Sequence, residues 1–507
     1  MRALAPEFRP YEWAAPTDEV ARLAGIDPSS VLRFDQNTPP LPLPSSRPGT
    51  IAGALARVSG YPGGGYRPLR RAIAGYAGTE PQNVVLGAGA DDLILLAARA
   101  WAGPGDTIAI PEAPTYPLYR IAALLAGAQV GDDDPVLTFA CRPNNPTGEL
   151  RPLPDARPLV VDEAYYEYCG DTVFGEDGVV VLRTFSKLFG LAGARVGYAL
   201  APRELADELN ARQAPAPVSS LGAELAIAAL AERPDPAPVV EERERLASAL
   251  RALGLAPLPS QTNFLYVPVE DGLALGDALL RQGIVVRAYD GAIRASVRDR
   301  EDDDVLVEAL ARILDRPAPV ASRGGRSART VRATAETRLA VRLALDGASR
   351  VRVATGAGLY DHFLEQLAFH GGLDLVLEGA GDLETGDHHT AEDAALAFGQ
   401  ALDAALGDRR GIARYGDAIV PMDDALARAA VDLGGRPHAE LALACDPGMA
   451  AHMLSSLAQS ARAAIHVEAT GRDAHHVAEA AFKAVGRALR VAVRAEGAGL
   501  PSTKGLL

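Results

Sequence analysis

Cysteine is scarce. Cys141, Cys169 and Cys445 are the only three in 507 residues, too scattered for a disulfide framework or a thiolate metal site. That usage fits a reducing compartment, and a cytoplasmic location is expected. Long apolar runs are missing too: no stretch approaches the ~18 consecutive apolar residues of a membrane span, and the first residues, MRALAPEFRPYEW, lack the apolar core of a secretory leader. An unexported protein without a membrane partner is expected. Positive charge is outweighed, since 50 Lys and Arg face 65 Asp and Glu for a formal net charge of −15. That balance disfavours an extended nucleic-acid footprint, although local arginines could still hold a small anion. Histidine is absent from the first 361 residues, and all nine histidines lie beyond them.

What is present is ample apolar material, 48% of the chain, enough for more than one sizeable core. The composition breaks at DRPAPVASRGGRSART, residues 315 to 330, a stretch rich in Pro, Gly, Ser and Arg without apolar periodicity. We place a first domain at 1–317, a linker at 318–328 and a second domain at 329–507. In the first, NVVLG (83–87), PLVVDEAY (158–165) and VVVLRTFSK (179–187) alternate with helical stretches such as DDLILLAARAWA (91–102). This alternation predicts a doubly wound α/β domain with a mostly parallel sheet.

The second domain contains a repeat. HHTAEDAALAFGQAL (388–402) and HHVAEAAFKAVGRAL (475–489) share nine of fifteen residues at an offset of 87, and DHFLEQLA and AHMLSSLA set His362 and His452 ahead of the two copies. Two similar βαβ-rich halves related by a pseudo-twofold are expected. On a helix, His388 and Glu392 share a face while His389 lies roughly 100° around, so one element can serve two ions. Imidazole and carboxylate donors without thiolates suit Mn, Fe, Co, Ni or Zn. Asp393, whose repeat counterpart is Ala480, is expected to support a ligand rather than to be one. His370, His438 and His466 have no repeat partner and are read as structural.

Along nearly all of 329–507 the chain resembles imidazoleglycerol-phosphate dehydratase, through RTVRATAETRLAV, LDG, DHFLEQL, GDLETGDHHTAED, GIARYGD, VPMDDAL, VDLGGRP, AHHVAEAAFKA and PSTKG. The resemblance implies an α+β fold of duplicated half-domains and Mn2+ at two sites. Its ligands would be His362, His388, His389, Glu392, His452, His475, His476 and Glu479, with sites completed between subunits of a homo-oligomer. It also implies that Arg414, Arg436, Ser502 and Lys504 hold a substrate phosphate, as forked guanidiniums and an ammonium suit a dianion. Glu336, Gln366 and Lys483 would meet the substrate. Expelling a hydroxyl beside an imidazole ring and removing a weakly acidic C–H proton needs cations on the ring and a carboxylate to move protons. Glu336, Glu392 and Glu479 are the candidates. Between GGRPHAEL and AHMLSSLA the chain is shorter than the family pattern.

In the first domain, Asp162 ends an apolar run at the carboxyl end of a strand, where such sheets bind ligands. Lys187 follows a second run and Arg195 lies eight residues on. Pyridoxal phosphate needs such a set: a lysine, an acid for its ring nitrogen, and phosphate donors, which GAGADD (87–92) supplements at a helix start. Residues 1 to about 318 resemble fold-type I aminotransferases, and the histidinol-phosphate aminotransferase family most, through LRFDQNTPP, YPGGGYRPLRRAIAGY, PEAPTY, NNPTG, DEAYYEY, SKLFGLAGARVGY and GAIRASV. The resemblance implies a mostly parallel sheet with a small accessory domain. It makes Lys187 the Schiff-base lysine, sets Asp162 on the ring nitrogen, Asn145 and Tyr165 on the ring hydroxyl, and Tyr116 against the ring. Ser186, Arg195 and the backbone of Ala90 and Asp91 would take the cofactor phosphate, with Tyr61 reaching across a dimer. Arg294 and Arg287 would receive the anionic ends of the substrates. GAQVGDDDPVLTFACRPNNPTG is compressed relative to the family, so a helix before the NNPTG strand is expected to be missing.

Together the two resemblances imply consecutive steps of histidine biosynthesis: dehydration of imidazoleglycerol phosphate to imidazoleacetol phosphate, then transamination with glutamate, yielding histidinol phosphate and 2-oxoglutarate. Two alternatives stay open: one active enzyme whose partner domain serves only assembly or another substrate, and a metal-storing shell without catalysis.

Overall fold

The computed structural model describes residues 4–39, 55, 58–111, 113–319, 326–347, 349–445, 448–497 and 499–501. The chain divides into two compact units, Met1–Val320 and Ala321–Leu507.

In the first unit a seven-stranded sheet runs in the order Val84–Gly87, Gly197–Leu200, Val179–Thr184, Leu159–Asp162, Leu137–Cys141, Thr107–Ala109, Gln129–Val130. Gly197–Leu200 is antiparallel to both of its neighbours, and every other pairing is parallel. The first five strands in this order are buried at every position, which is why they read as unbroken apolar runs rather than alternating ones. Separate apolar clusters cover the two faces, one built around Ile73, Phe185 and Leu230, the other around Ile94, Tyr119 and Leu209. Between Gly131 and Val136 the chain passes from the edge strand to the next without a helix, as the compressed sequence suggests. A smaller antiparallel sheet of Arg287–Tyr289, Ala292–Ser296 and Phe264–Pro268 forms its own core with the helices Ala237–Ala252, Gly272–Leu280 and Arg300–Ile313.

The second unit is two copies of one pattern. Each half has an antiparallel hairpin, then a strand, a helix, a strand parallel to the last, and a closing helix. In the first half these are Ser327–Ala333, Thr337–Ala344, Val351–Ala354, Gly358–Gly371, Asp374–Gly381 and His388–Leu406; in the second, Tyr415–Met422, Ala425–Asp432, His438–Leu443, Ala450–Ser460, Ala464–Thr470 and Ala474–Ala492. The sheet order is the same in both. The first strand begins at Ser327, inside the stretch read from sequence as linker.

Each closing helix covers the hairpin of its own half and packs against the first helix of the other half, so one core serves both. Two repeat-equivalent glycines permit this. A Cβ on Gly486 would stand 2.3 Å from the Leu367 carbonyl oxygen, and one on Gly399 would stand 2.7 Å from the Leu457 carbonyl oxygen.

Candidate functional site

The crossed helices of the second unit assemble two histidine–glutamate trios, each drawing on both halves. His388 and Glu392, one turn apart at the start of their helix, meet His452 from the other half; the Glu392 carboxylate lies 3.6 Å from His388 Nε2 and 3.3 Å from His452 Nε2. Reciprocally, Glu479 lies 3.1 Å from His475 Nε2 and 3.5 Å from His362 Nε2. Within each trio the donor atoms all lie within 4.8 Å of one another. Imidazole nitrogens and one carboxylate oxygen, with no thiolate, fit a borderline or hard divalent cation.

The trios differ in one respect. Glu479 is buried and paired with Lys483 at 2.7 Å, whereas the position equivalent to Lys483 is Leu396. Burial pushes the Glu479 carboxyl up, but Lys483 and His362 hold it below its ordinary value.

His389 and His476 belong to neither trio. His389 Nδ1 lies 3.1 Å from Asp382 and 3.7 Å from Glu336, a third group of possible ligands. His476 Nδ1 lies 2.7 Å from Asp424, which also accepts the backbone N–H groups of Arg472 and Asp473. These bonds hold the Asp424 carboxyl far below its usual range. A carboxylate on Nδ1 leaves Nε2 to serve as the ligand atom of each ring; that of His476 lies 3.6 Å from Asp423. Asp382 and Asp424 escape sequence reasoning because they lie 7 and 52 residues from their histidines, inside GDLETGD and VPMDDAL. The only available signal is the general need of a ligating imidazole for an orienting carboxylate.

The remaining expected residues scatter around these helices. Gln366 is half-buried one turn after His362, and Arg436 is exposed between two strands. Arg414 is buried; its Nε and Nη2 donate to Asp432, and its Nη1 to the carbonyl of Pro501. Asp393 accepts from Arg332 at 2.7 Å and from Thr337, so its hydrogen bonds tie the helix to its sheet. Ser502 and Lys504 lie outside the described residues.

In the first unit the carboxyl ends of the central strands converge. Asp162 closes its strand with Oδ1 accepting from the N–H of Ala164 at 3.0 Å and Oδ2 accepting from the Tyr119 hydroxyl at 2.7 Å. Burial pushes its carboxyl up to about 6. Lys187 Nζ lies 5.5 Å from the centre of the Tyr165 ring. Lost hydration, with Arg294 nearby, brings its ammonium down to about 8. Tyr165 is buried, and its hydroxyl accepts from Asn37 at 3.0 Å. Asn37, within LRFDQN, is a neighbour that sequence reasoning missed, although its φ of +53° marks a specialised turn.

Ala90 and Asp91 open the helix Ala90–Trp101. Arg195 reaches across to Asp91 at 2.9 Å, Ser186 is buried near the end of its strand, and Tyr116 donates to Asp91 at 3.1 Å. A Cβ on Gly89 would stand 2.6 Å from an Arg195 nitrogen, and one on Gly197 would meet the backbone of Gly89 and Ala90; the two glycines keep a cradle open at this helix start. Arg287 and Arg294 sit directly opposite each other in an antiparallel pair. Arg294 donates to Asn145 Oδ1 at 2.6 Å and to the carbonyl of Asp35 at 2.7 Å, and its buried Nε has no partner among the described residues. Arg287 donates to the Glu12 carbonyl. Tyr61 is 94% exposed. A buried amine, a buried carboxylate at a strand end, a helix-start cradle and an orphaned guanidinium donor fit pyridoxal phosphate with an anionic substrate.

Comparison with known proteins covers both units. The family model "Aminotransferase class I and II" matches residues 29–132 and 133–310, and "Imidazoleglycerol-phosphate dehydratase" matches 355–489. A relative from Frankia casuarinae named imidazoleglycerol-phosphate dehydratase is 51% identical over 193 residues, 36% of this chain and 99% of its own length. One of the same name from Methanothermobacter thermautotrophicus is 50% identical over 184 residues, 35% of this chain and 95% of its own. Among solved structures, histidinol-phosphate aminotransferase from Sinorhizobium meliloti, in complex with pyridoxal-5'-phosphate, aligns with a TM-score of 0.54 and 26% identity, covering 61% of this chain and 98% of that one. The chain belongs to the class I and II aminotransferases through its first unit, with the fold-type I architecture, and to the imidazoleglycerol-phosphate dehydratases through its second.

Proposed function

We propose that the chain catalyses two consecutive steps of histidine biosynthesis, the second unit dehydrating imidazoleglycerol phosphate and the first transaminating the resulting imidazoleacetol phosphate with glutamate. The observation that supports this reading is that one chain carries both the reciprocal histidine–glutamate trios and, in its other unit, a buried Asp162 whose charge is felt by Lys187.

In the second unit, His388, Glu392 and His452 would hold one divalent ion and His362, His475 and Glu479 another. Mn2+ is the ion the dehydratase resemblance favours. When bound, these ions supply Lewis acidity to an imidazole ring and stabilise the charge that develops on it. His389 and His476, held by carboxylates outside the trios, would complete the sites of neighbouring subunits. Glu392 and Glu479 are committed to the trios, so Glu336, exposed beside His389, is the carboxylate left to take the substrate's C–H proton. Gln366 and Lys483 orient the substrate. Arg414, Arg436, Ser502 and Lys504 would hold its phosphate, and Arg414 also donates to the carbonyl of Pro501.

In the first unit, pyridoxal phosphate supplies an electron sink when bound. Asp162 would hold a proton on its ring nitrogen, and Asn145 and Tyr165 would fix its ring hydroxyl. Ser186, Arg195 and the N–H groups of Ala90 and Asp91 would hold its phosphate, Tyr116 would lie against its face, and Tyr61 would come from a second copy. Lys187 would hold the cofactor's aldehyde carbon and, once displaced by the substrate's amine, would move the proton at the substrate Cα, a task suited to an ammonium brought down to about 8. Arg294 and Arg287 receive the anionic ends of glutamate and the ketone.

The test is incubation of purified chain with imidazoleglycerol phosphate, Mn2+, pyridoxal phosphate and glutamate beside a Lys187→Ala control. Histidinol phosphate from the wild type, with ketone accumulating in the control, is the expected result. Absence of ketone from both overturns the dehydratase reading; ketone accumulating in both overturns the aminotransferase reading and leaves the first unit another substrate or an assembly role.

A further inference from the structure

Asp162 reaches the site from the heart of the sheet and is buried there. Tyr119, on the helix Leu118–Ala126, is fully buried. Its hydroxyl donates to Asp162 Oδ2 at 2.7 Å. The ring stacks on Phe139 at 5.3 Å and 14°, and its edge meets Tyr116 at 5.8 Å and 81°. One rigid aromatic therefore bridges the carboxylate expected at the cofactor's ring nitrogen and the tyrosine expected against its face. We propose that Tyr119 is a positioning residue for ring-nitrogen recognition: it aims the Asp162 carboxylate and keeps it ionised, so that the site selects a protonated pyridine. The inference rests on reading Lys187 and Asp162 as a pyridoxal phosphate site.

The physical argument is a balance at one oxygen atom. A carboxylate 5% exposed favours its neutral form unless donors solvate it. Burial and the nearby Asp91 raise the Asp162 carboxyl; Tyr119, the Ala164 N–H and Lys187 oppose them. Tyr119 is the largest of these opposing influences. Its own phenol, pushed well above its usual range by burial and by Asp162, stays protonated and remains a donor. Removing that hydroxyl leaves the carboxylate with one hydrogen bond, and a neutral Asp162 cannot hold a charged ring nitrogen.

The test compares affinities of the full chain for pyridoxal phosphate and for its 1-deaza analogue, which has carbon in place of the ring nitrogen, by equilibrium dialysis at pH 7.5. Wild type is expected to prefer the natural cofactor by at least ~10-fold, the worth of one charge-assisted hydrogen bond. Tyr119→Phe is expected to lose most of that preference while binding the analogue normally. A structural role would weaken both ligands alike, so an unchanged ratio overturns the inference. Should Tyr119→Phe not fold, 3-fluorotyrosine at 119 keeps the shape and strengthens the donor; the ratio is then expected to rise, and a constant ratio again overturns the inference. Failure of the wild type to bind either ligand overturns the cofactor reading itself.

Discussion

Lys187, Lys483 and Lys504 are the only lysines in the chain, so every side-chain ammonium belongs to a candidate site. Borohydride reduction of the cofactor-loaded chain is therefore expected to label one peptide, that of Lys187, and Lys187→Ala to remove the label; mass spectrometry reads the outcome. Because only the neutral amine attacks an aldehyde, and this amine titrates near 8, the loading rate should climb as pH rises from 7 to 9 and then level off. Stopped-flow absorbance checks this, and a rate still rising steeply above pH 10 would mean an ordinary lysine. In the second unit, Asp424 fixes the ring of His476. Orienting carboxylates of this kind contribute about 10–100-fold to metal affinity, so Asp424→Asn should weaken Mn2+ binding by that range in calorimetric titration, while Leu396, at the Lys483 position of the other half, tolerates Met.

At the scale of elements, the close crossing of helices at Gly486 rules out any added side chain. Gly486→Ala is expected to cost about 1–3 kcal/mol through overpacking, and to displace His362 from Glu479; denaturant titration and metal analysis together test both. In the first unit, burial pushes the Glu167 carboxyl up from 4.5 to about 7. Its neutral form is favoured by the fold, so its contribution is full below pH 4.5 and fades as pH rises toward 7. Glu167→Gln should flatten that part of the stability profile. Periodicity and turn residues made the elements legible: the strands ending at Asp162 and Thr184 follow from unbroken apolar runs, and the HHxxE repeat announced both closing helices. The partnership of the trios was not legible. His362 lies 26 residues before His388 yet joins His475, because helix packing across the halves, not sequence distance, selects the third donor. Tyr119 was likewise silent, an apolar position by pattern whose hydroxyl matters only once a helix is laid against the sheet.

For the whole molecule, two compact units, one proposed to bind pyridoxal phosphate and the other a divalent metal, imply two separable responses. Saturating Mn2+ to ~100 times its dissociation constant adds about 2.7 kcal/mol to whatever folds around it, roughly 5–10 °C for a unit of this size. Calorimetry should show one transition raised by Mn2+ and lowered by chelator, and another raised by pyridoxal phosphate; a single transition moved by both would mean the units unfold as one. The crossed trios carry a historical consequence as well. A lone half offers the His-x3-Glu pair but not the third nitrogen, which always arrives from the other copy. If the trios hold ions as proposed, a half-length protein of this pattern could complete such a site only as a pair of identical molecules, a pairing that the repeat within one chain makes permanent. The two halves are nonetheless not identical: Lys483 has Leu396 at its repeat-equivalent position.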